Sequence, residues 1–388
     1  MEVKVPESHE HEMLRQSLRR FIERECPREK ARRWDEEDYY PHDVMEKLRG
    51  LGVFALTTPE EYGGARDIPA AILTAEELAR RYLTISVAYG MTVFYGALNV
   101  TESGNEEQKQ KFLPKLAAGE MKFAYGLSEP NVGADLASVE TYADLEGDYF
   151  VVNGIKRWCT GAEITDYIFT LLRTDRQAPR YKNLGILLVD PQLPGITIEP
   201  IKKMGNHGIA TCDVTFDNVK VPRENLLGGM EMLNKGWMQL AAQGLDVEKI
   251  AVSAVCLGMG QAAYEDAFQY AQERKQFGKP VSAHQSIRHM LADMATDLFA
   301  CRLMTYHCAR LAQEHTPCAV ETSMTKLFVA EACTRAALNA QKIFGAYGYA
   351  MEYDVQRYLR DVMLYPIVGG SSAIQRNNIM NRLGLASK

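Results

Sequence analysis

Apolar positions recur at three- and four-residue steps near the start of the chain, where Met13, Leu14, Leu18, Phe21 and Ile22 fall on one face of a helix. Stops follow at Pro27, at Gly50 and Gly52, and at Gly63-Gly64. Residues 1–120 therefore read as an all-helical domain. Over 121–233 the pattern changes to short extended runs separated by Gly, Pro, Asn and Asp: Tyr149-Phe150-Val151-Val152, Tyr167 to Leu172, Gly185 to Val189, Ile196-Thr197-Ile198 and Val214-Thr215-Phe216. No helical stretch intervenes, so a barrel or small sandwich is predicted and a doubly wound parallel sheet is disfavoured. Helical periodicity returns over 234–388. Ile287, Met290, Leu291, Met294, Leu298 and Cys301 form one stripe, and no Gly or Pro occurs between Pro280 and Pro317. That predicts a helix of about 30 residues, long enough for a four-helix bundle. The fold class is α+β, in the order helical, β, helical.

Composition narrows the function without naming it. A chain of 388 residues suits two or three domains with substantial cores. Its net charge of −6, from 44 basic and 50 acidic side chains, gives no general attraction to phosphate backbones or anionic lipid. Nucleic acid is not an expected partner. The longest nearly apolar run, Ile250 to Met259, is shorter than the roughly 18 residues needed to span a bilayer and reads as a buried helix, so no membrane is expected either. The opening Met1-Glu-Val-Lys-Val-Pro6 has no apolar signal core, which points to the cytoplasm. The eight cysteines are dispersed, without a Cys-x-x-Cys pair, and read as reduced core thiols. No metal site is expected, because His9-Glu10-His11 lacks a third ligand. The phosphate loop, dinucleotide fingerprint, nucleophile elbow and His-Glu-x-x-His motifs are all absent. Gly258 and Gly260 sit inside a helical pattern and read as a close helix contact.

Five dispersed segments carry the chemistry. Tyr125-Gly-Leu-Ser-Glu-Pro-Asn-Val-Gly-Ala-Asp135 and Asn153-Gly-Ile-Lys-Arg-Trp158-Cys-Thr160 lie in the β region. Arg274-Lys-Gln-Phe277-Gly-Lys-Pro280 with His284-Gln285, Lys342-Ile-Phe-Gly345-Ala-Tyr-Gly348-Tyr349, and Tyr358-Leu-Arg-Asp361 with Gly369-Gly370-Ser371-Ser372 follow in the C-terminal part. In this order they resemble the acyl-CoA dehydrogenase family over almost the whole chain. The resemblance implies FAD as cofactor. By it, Leu127 and Ser128 would bond the flavin pyrimidine edge with Tyr125 nearby, Trp158 would cover the ring system, and Thr160 would bond toward N5. Arg274, Phe277, Gln285, Lys342 and Gly345 would reach the FAD of a neighbouring subunit, with Ser371 in the closing segment also at the cofactor. Lys342 replaces the usual Gln and Ala346 the usual second Gly.

The base is displaced. Common members of the family carry Glu immediately before the final Gly-[Thr/Ser], where this chain has Gly369. A minority, including isovaleryl-CoA and long-chain dehydrogenases, places it earlier in a segment similar to Leu245-Asp246-Val247-Glu248-Lys249. Glu248 is thus the catalytic candidate. Asp246, Lys249, Ala134, Gly369 and Gly370 are the substrate-side candidates, with Lys249 in place of Arg and Ala134 in place of Ser. A backbone N–H near 369 or 370 would stabilise the thioester enolate, and burial beside an acyl chain would raise the Glu248 pKa into the working range. Hydride would then pass from the β-carbon to flavin N5.

Phe94 and Tyr95, in the aromatic stretch 88–96, are expected to shorten the acyl pocket, favouring a short or branched chain. The family also implies electron-transferring flavoprotein as partner and a homotetramer. The reducing direction, as in crotonobetainyl-CoA reductase, remains open, as do a thioester desulfinase or decarboxylase and a family member that binds FAD or an acyl group without dehydrogenating it.

Overall fold

The structure, a computed structural model, describes residues 7–240 and 243–385; Met1 to Pro6 lie outside the described residues. Helices α1 (His9–Glu25), α2 (Arg28–Glu36), α3 (His42–Arg49), α4 (Ile68–Ala79), α5 (Leu83–Gly90), α6 (Asn99–Ser103) and α7 (Glu106–Ala117) form the first part. Side chains cap several of them: Ser8 accepts from the His11 N–H, Asp67 from the Ala70 N–H, and Asn105 with Gln108 forms a reciprocal capping box. Leu18, Phe21 and Ile22 are buried as expected, whereas Met13 is exposed. Between α5 and α6 the chain winds through a π-helical stretch, Met91–Leu98. The continuous run Leu83–Ser103 is long and apolar enough to cross a membrane by length and composition, a stretch the sequence reading passed over, but most of it is buried inside the protein and serves as core.

Seven strands follow: β1 (Phe123–Gly126), β2 (Tyr142–Glu146), β3 (Tyr149–Thr160), β4 (Tyr167–Arg173), β5 (Leu184–Val189), β6 (Ile196–Ile201) and β7 (Thr211–Pro222). They form one mostly antiparallel sheet in which β1 runs parallel to β4 and β5 antiparallel to it, while β2, β3, β7 and β6 continue as antiparallel neighbours. Both faces are covered near β4 and β5. Phe169, Leu171, Ile186 and Leu188 pack toward one hydrophobic cluster and Ile168, Leu172, Leu187 and Val189 toward another, the two-residue alternation of a strand buried on both sides.

After the short α8 (Gly236–Leu240) come α9 (Gln243–Glu273), a two-strand hairpin β8 (Lys275–Gln276) and β9 (Lys279–Pro280), α10 (Gln285–Gln313), α11 (Ala319–Phe344), α12 (Val355–Val362) and α13 (Ser372–Arg382). The long helix expected after Pro280 is α10, and Leu291, Met294, Leu298 and Cys301 are its buried stripe. Three long helices pack mutually, and the fourth place is shared: α4 packs on α9 and α10, while α12 and α13 pack on α11. One hydrophobic core therefore runs through both helical parts, from Leu18 to Tyr365. Gly258 permits a close approach of α9 to α4, since a methyl group there would lie 2.1 Å from the Glu76 carbonyl oxygen. The run Ile250 to Met259 is buried along α9 except for the half-buried Val252.

Candidate active site

The sheet presents its part of the site at the ends of β1 and β3. Lys156 of β3 is fully buried and donates to the Leu127 carbonyl oxygen (3.1 Å) and to the Glu129 carboxylate (2.8 Å). Glu129 also accepts from the Glu140 and Thr141 backbone N–H groups. Burial works against its charge, but the Lys156 ammonium and these donors hold its carboxyl below the usual range. The Arg157 N–H completes the clamp on Ser128, bonding its carbonyl oxygen at 2.9 Å. The segment Leu127-Ser128 is fixed from below, leaving both side chains half-buried.

Next to it, Trp158 adopts φ +68°, a left-handed conformation costly for a bulky residue, where the pairing of β3 with β7 is irregular between Lys156 and Cys159. The indole stands 55% exposed with the Arg157 guanidinium 4.8 Å from its ring centre. An exposed Trp held by a strained backbone beside a rigid donor segment, with the Thr160 hydroxyl 3.0 Å from that of Thr211, is a donor set suited to a planar, hydrogen-bonding ring system. The residues present fit a flavin.

The helices supply the candidate acid–base group. Glu248 lies on α9, half-buried, and among the described residues no donor is hydrogen-bonded to it. Burial raises its pKa from 4.5 to about 7, against weaker lowering by Lys249 and Lys326. Two aromatic hydroxyls share its surroundings: burial and then the Glu248 charge push up the Tyr95 and Tyr125 phenols. These rings stack at 4.0 Å between centroids, and Asn99 donates to the Tyr125 hydroxyl at 2.7 Å. Phe94 does not join them. It turns into the helical core against Tyr89, because successive residues of a helical turn face different sides.

Gly369 and Gly370, with φ +62° and +79°, form a left-handed turn ahead of α13, whose first turn is capped by Ser371. Lys326 donates to the carbonyl oxygens of Tyr365 and Gly370, both at 2.7 Å, and Gln375 to those of Gly369 and Gly370, both at 3.0 Å. Lys249 is paired with Asp246 at 2.8 Å, and Asp246 also accepts from Thr322 at 3.2 Å. Ala134 is exposed on the loop after β1.

The remaining candidates form a separate group. Arg274 ends α9 and lies over the Tyr347 ring at 5.3 Å, which joins it to the turn containing Gly345. Phe277 is 92% exposed at the tip of the β8–β9 hairpin; Gln285 and Lys342 are exposed as well. Among the described residues no hydrogen bond or ion pair links this group to Trp158 or Glu248.

Sequence reading missed Lys156, Glu129, Asn99, Lys326 and Gln375 as site-shaping residues. A signal existed for Lys326: Thr322, Lys326, Val329, Ala330 and Cys333 follow helical spacing on a buried face of α11, where a cation requires a partner.

Three family models match, described as the N-terminal (residues 8–120), middle (124–219) and C-terminal (234–384) domains of acyl-CoA dehydrogenase. The chain belongs to the acyl-CoA dehydrogenase family. Its members are FAD-dependent oxidoreductases acting on the CH–CH bond of acyl-CoA thioesters, so FAD is the cofactor of this chain. The chain is 35% identical to an acyl-CoA dehydrogenase of Bacillus subtilis (strain 168), over 95% of this chain and 96% of the relative. It is 34% identical to a subunit of the caffeyl-CoA reductase-Etf complex of Acetobacterium woodii, over 97% and 98%. Among solved structures, butyryl-CoA dehydrogenase from Megasphaera elsdenii superposes with a TM-score of 0.93 at 31% identity, covering 98% of this chain and all of that one.

Proposed function

We propose that this acyl-CoA dehydrogenase uses Glu248 as its base on a short or branched acyl-CoA, in the branch of the family that carries the carboxylate on the earlier helix. The observation that carries the reading is a desolvated, unbonded carboxyl with a pKa near 7, poised to take or give a proton at neutral pH. Among the described residues no hydrogen bond or ion pair commits it structurally.

The α-proton of the thioester passes to a Glu248 carboxylate oxygen. Charge that develops on the thioester oxygen is met by backbone N–H of the Gly369–Gly370 turn, which is held from behind and needs no reorganisation when the charge forms. Bound FAD supplies the acceptor for the β-hydrogen and its electron pair. Leu127, Ser128, Tyr125, Trp158, Thr160 and Ser371 are the residues assigned to the cofactor within the subunit, and Asp246, Lys249, Ala134, Gly369 and Gly370 line the CoA side. Lys249, engaged by Asp246, offers CoA less than an unengaged Arg would. The stacked Tyr95 and Tyr125 beside Glu248 leave little depth for an acyl chain.

The exposed Arg274, Phe277, Gln285, Lys342 and Gly345 are read as a surface for the FAD of a second subunit in a homotetramer; the 92% exposure of Phe277 supports this. Electron-transferring flavoprotein is the proposed electron partner, as the caffeyl-CoA relative's name indicates for that protein. A cytoplasmic place in fatty-acid metabolism fits eight buried, unpaired thiols. The same relative favours a second reading, enoyl-CoA reduction with Glu248 as the acid. The test is anaerobic mixing of the flavoprotein with butyryl-, isovaleryl- and palmitoyl-CoA. Flavin bleaching fastest with the first two is expected; bleaching only with palmitoyl-CoA overturns the chain-length reading, and full activity in Glu248→Gln overturns the base.

A further inference from the structure

The cation nearest in role to Glu248 is one that the family motifs leave unassigned. Lys326 is buried to 1% exposure on α11, and among the described residues it forms no ion pair. An ammonium has three N–H donors, and here two are given to main-chain carbonyl oxygens, those of Tyr365 and Gly370 at 2.7 Å. A Cβ placed on Gly369 would lie 3.8 Å from the Lys326 Cε and 3.6 Å from Val252, so the lysine stem runs directly under the turn. Gln375, itself fully buried, holds the Gly369 and Gly370 carbonyl oxygens at 3.0 Å. In a trans peptide the N–H points opposite to the C=O. With the Gly369 carbonyl drawn toward Gln375, the Gly370 N–H faces away from Gln375.

We infer that Lys326 is a positioning residue for proton transfer: it fixes the Gly369–Gly370 turn from behind and supplies a buried positive charge against which Glu248 ionises. This rests on Glu248 being the base. Val252, one helical turn after Glu248 on α9, meets the same Cβ position of Gly369 as the Lys326 stem, so the lysine and the glutamate approach the turn from adjoining helices. The charged and titratable groups that act on Glu248 or feel its charge are Lys249 on its own helix, Lys326 from α11, Tyr95 from the π-helical stretch and Tyr125 from β1; Lys326 in turn feels Glu248 and Cys256 of α9. Of the two cations, Lys249 acts the more strongly but is shared with Asp246, and Lys326 is the one with no bonded carboxylate among the described residues. Its own pKa is pushed down to about 8 by burial, and the Glu248 charge opposes that shift. When Glu248 takes the α-proton, its negative charge is removed from beside Lys326 and reappears on the thioester oxygen. The cation then acts on the enolate instead, and no side chain has to move.

The experiment uses the FAD-loaded enzyme and 3-thiabutyryl-CoA, which can lose its α-proton but has no hydrogen on the β atom to transfer. Formation of its anion beside oxidised flavin is followed as long-wavelength charge-transfer absorbance across pH. Lys326→Gln keeps a donor for the turn and removes the charge. The absorbance midpoint is expected to move up by about one pH unit, since loss of a nearby opposite charge disfavours the carboxylate, and Lys326→Arg should restore it toward the unmodified value. Lys326→Met serves if the Gln variant does not fold. An unmoved midpoint in the neutral variant, with the band abolished in Glu248→Gln, overturns the inference alone. A band that survives in Glu248→Gln overturns the base assignment, and the inference with it.

Discussion

Two glutamates flank the candidate site, each near a buried lysine, and they differ in almost everything that follows. Glu129 bonds Lys156 directly at 2.8 Å and accepts two backbone N–H groups; its pKa lies below the usual range although burial opposes this. Among the described residues Glu248 receives no hydrogen bond, Lys326 gives two of its donors to carbonyl oxygens, and burial prevails with a pKa of about 7. Residue type does not separate the structural acid from the proposed catalytic one. Partner geometry does: a carboxylate with its bonding sites filled is locked in the ionised form, and one reached only through space can exchange a proton near neutral pH.

The comparison is tested most severely at Glu248. Glu248→Gln is expected to slow anaerobic flavin bleaching by about 10³-fold, the usual range for losing a general base, while the chain still folds. Its stability should change in a set direction. Because folding raises this pKa from 4.5 to about 7, the wild-type chain loses stability as pH rises through that window and the Gln variant does not. Denaturant midpoints should agree below pH 4.5 and favour Glu248→Gln at pH 8.

Glu129→Gln should behave in the opposite way, losing about 3–5 kcal/mol because Lys156 is left buried without its carboxylate. Urea unfolding at pH 7 checks this, and a loss below 1 kcal/mol would erase the contrast. The double variant Glu129→Gln with Lys156→Met removes both charges and should recover most of the stability, though with weaker flavin retention, since the Leu127 carbonyl loses its clamp.

The pH dependence separates the two directions of catalysis. With Glu248 as base, the rate of flavin reduction by acyl-CoA should fall about tenfold per pH unit below about 7. With Glu248 as acid, enoyl-CoA reduction should fall above it instead. The smallest effect belongs to Tyr125→Phe, which removes one acceptor from Asn99 but leaves its bonds to the Phe94 and Tyr95 carbonyl oxygens, and should cost about 1 kcal/mol in unfolding free energy.

Much of this was legible in the chain. The stripe from Leu291 to Cys301 gave α10, the alternation through Tyr167–Leu172 and Gly185–Val189 gave β4 and β5, and Gly258 gave the close helix contact, because each is a local pattern with a fixed period or size. The absent carboxylate at 369 directed attention to Glu248. Met13 and Phe94 were misread because apolar character does not say which surface a helix buries or which way one turn points. The three-long-helix arrangement with α4 in the shared place could not be read from the C-terminal sequence alone, since α4 lies about 200 residues earlier in the chain by the numbering and packing brought it there.

By itself, the sequence determined the succession of helical, β and helical parts, the segments that carry the family's chemistry, and the carboxylate available to act. The tertiary structure decided what each charged group became. Lys156 and Lys326 are both lysines in apolar surroundings, yet one meets a carboxylate and the other two carbonyl oxygens. Desolvation and hydrogen bonding depend on which atoms lie within about 3 Å, and only the folded chain brings residues 248, 326 and 370 to one place.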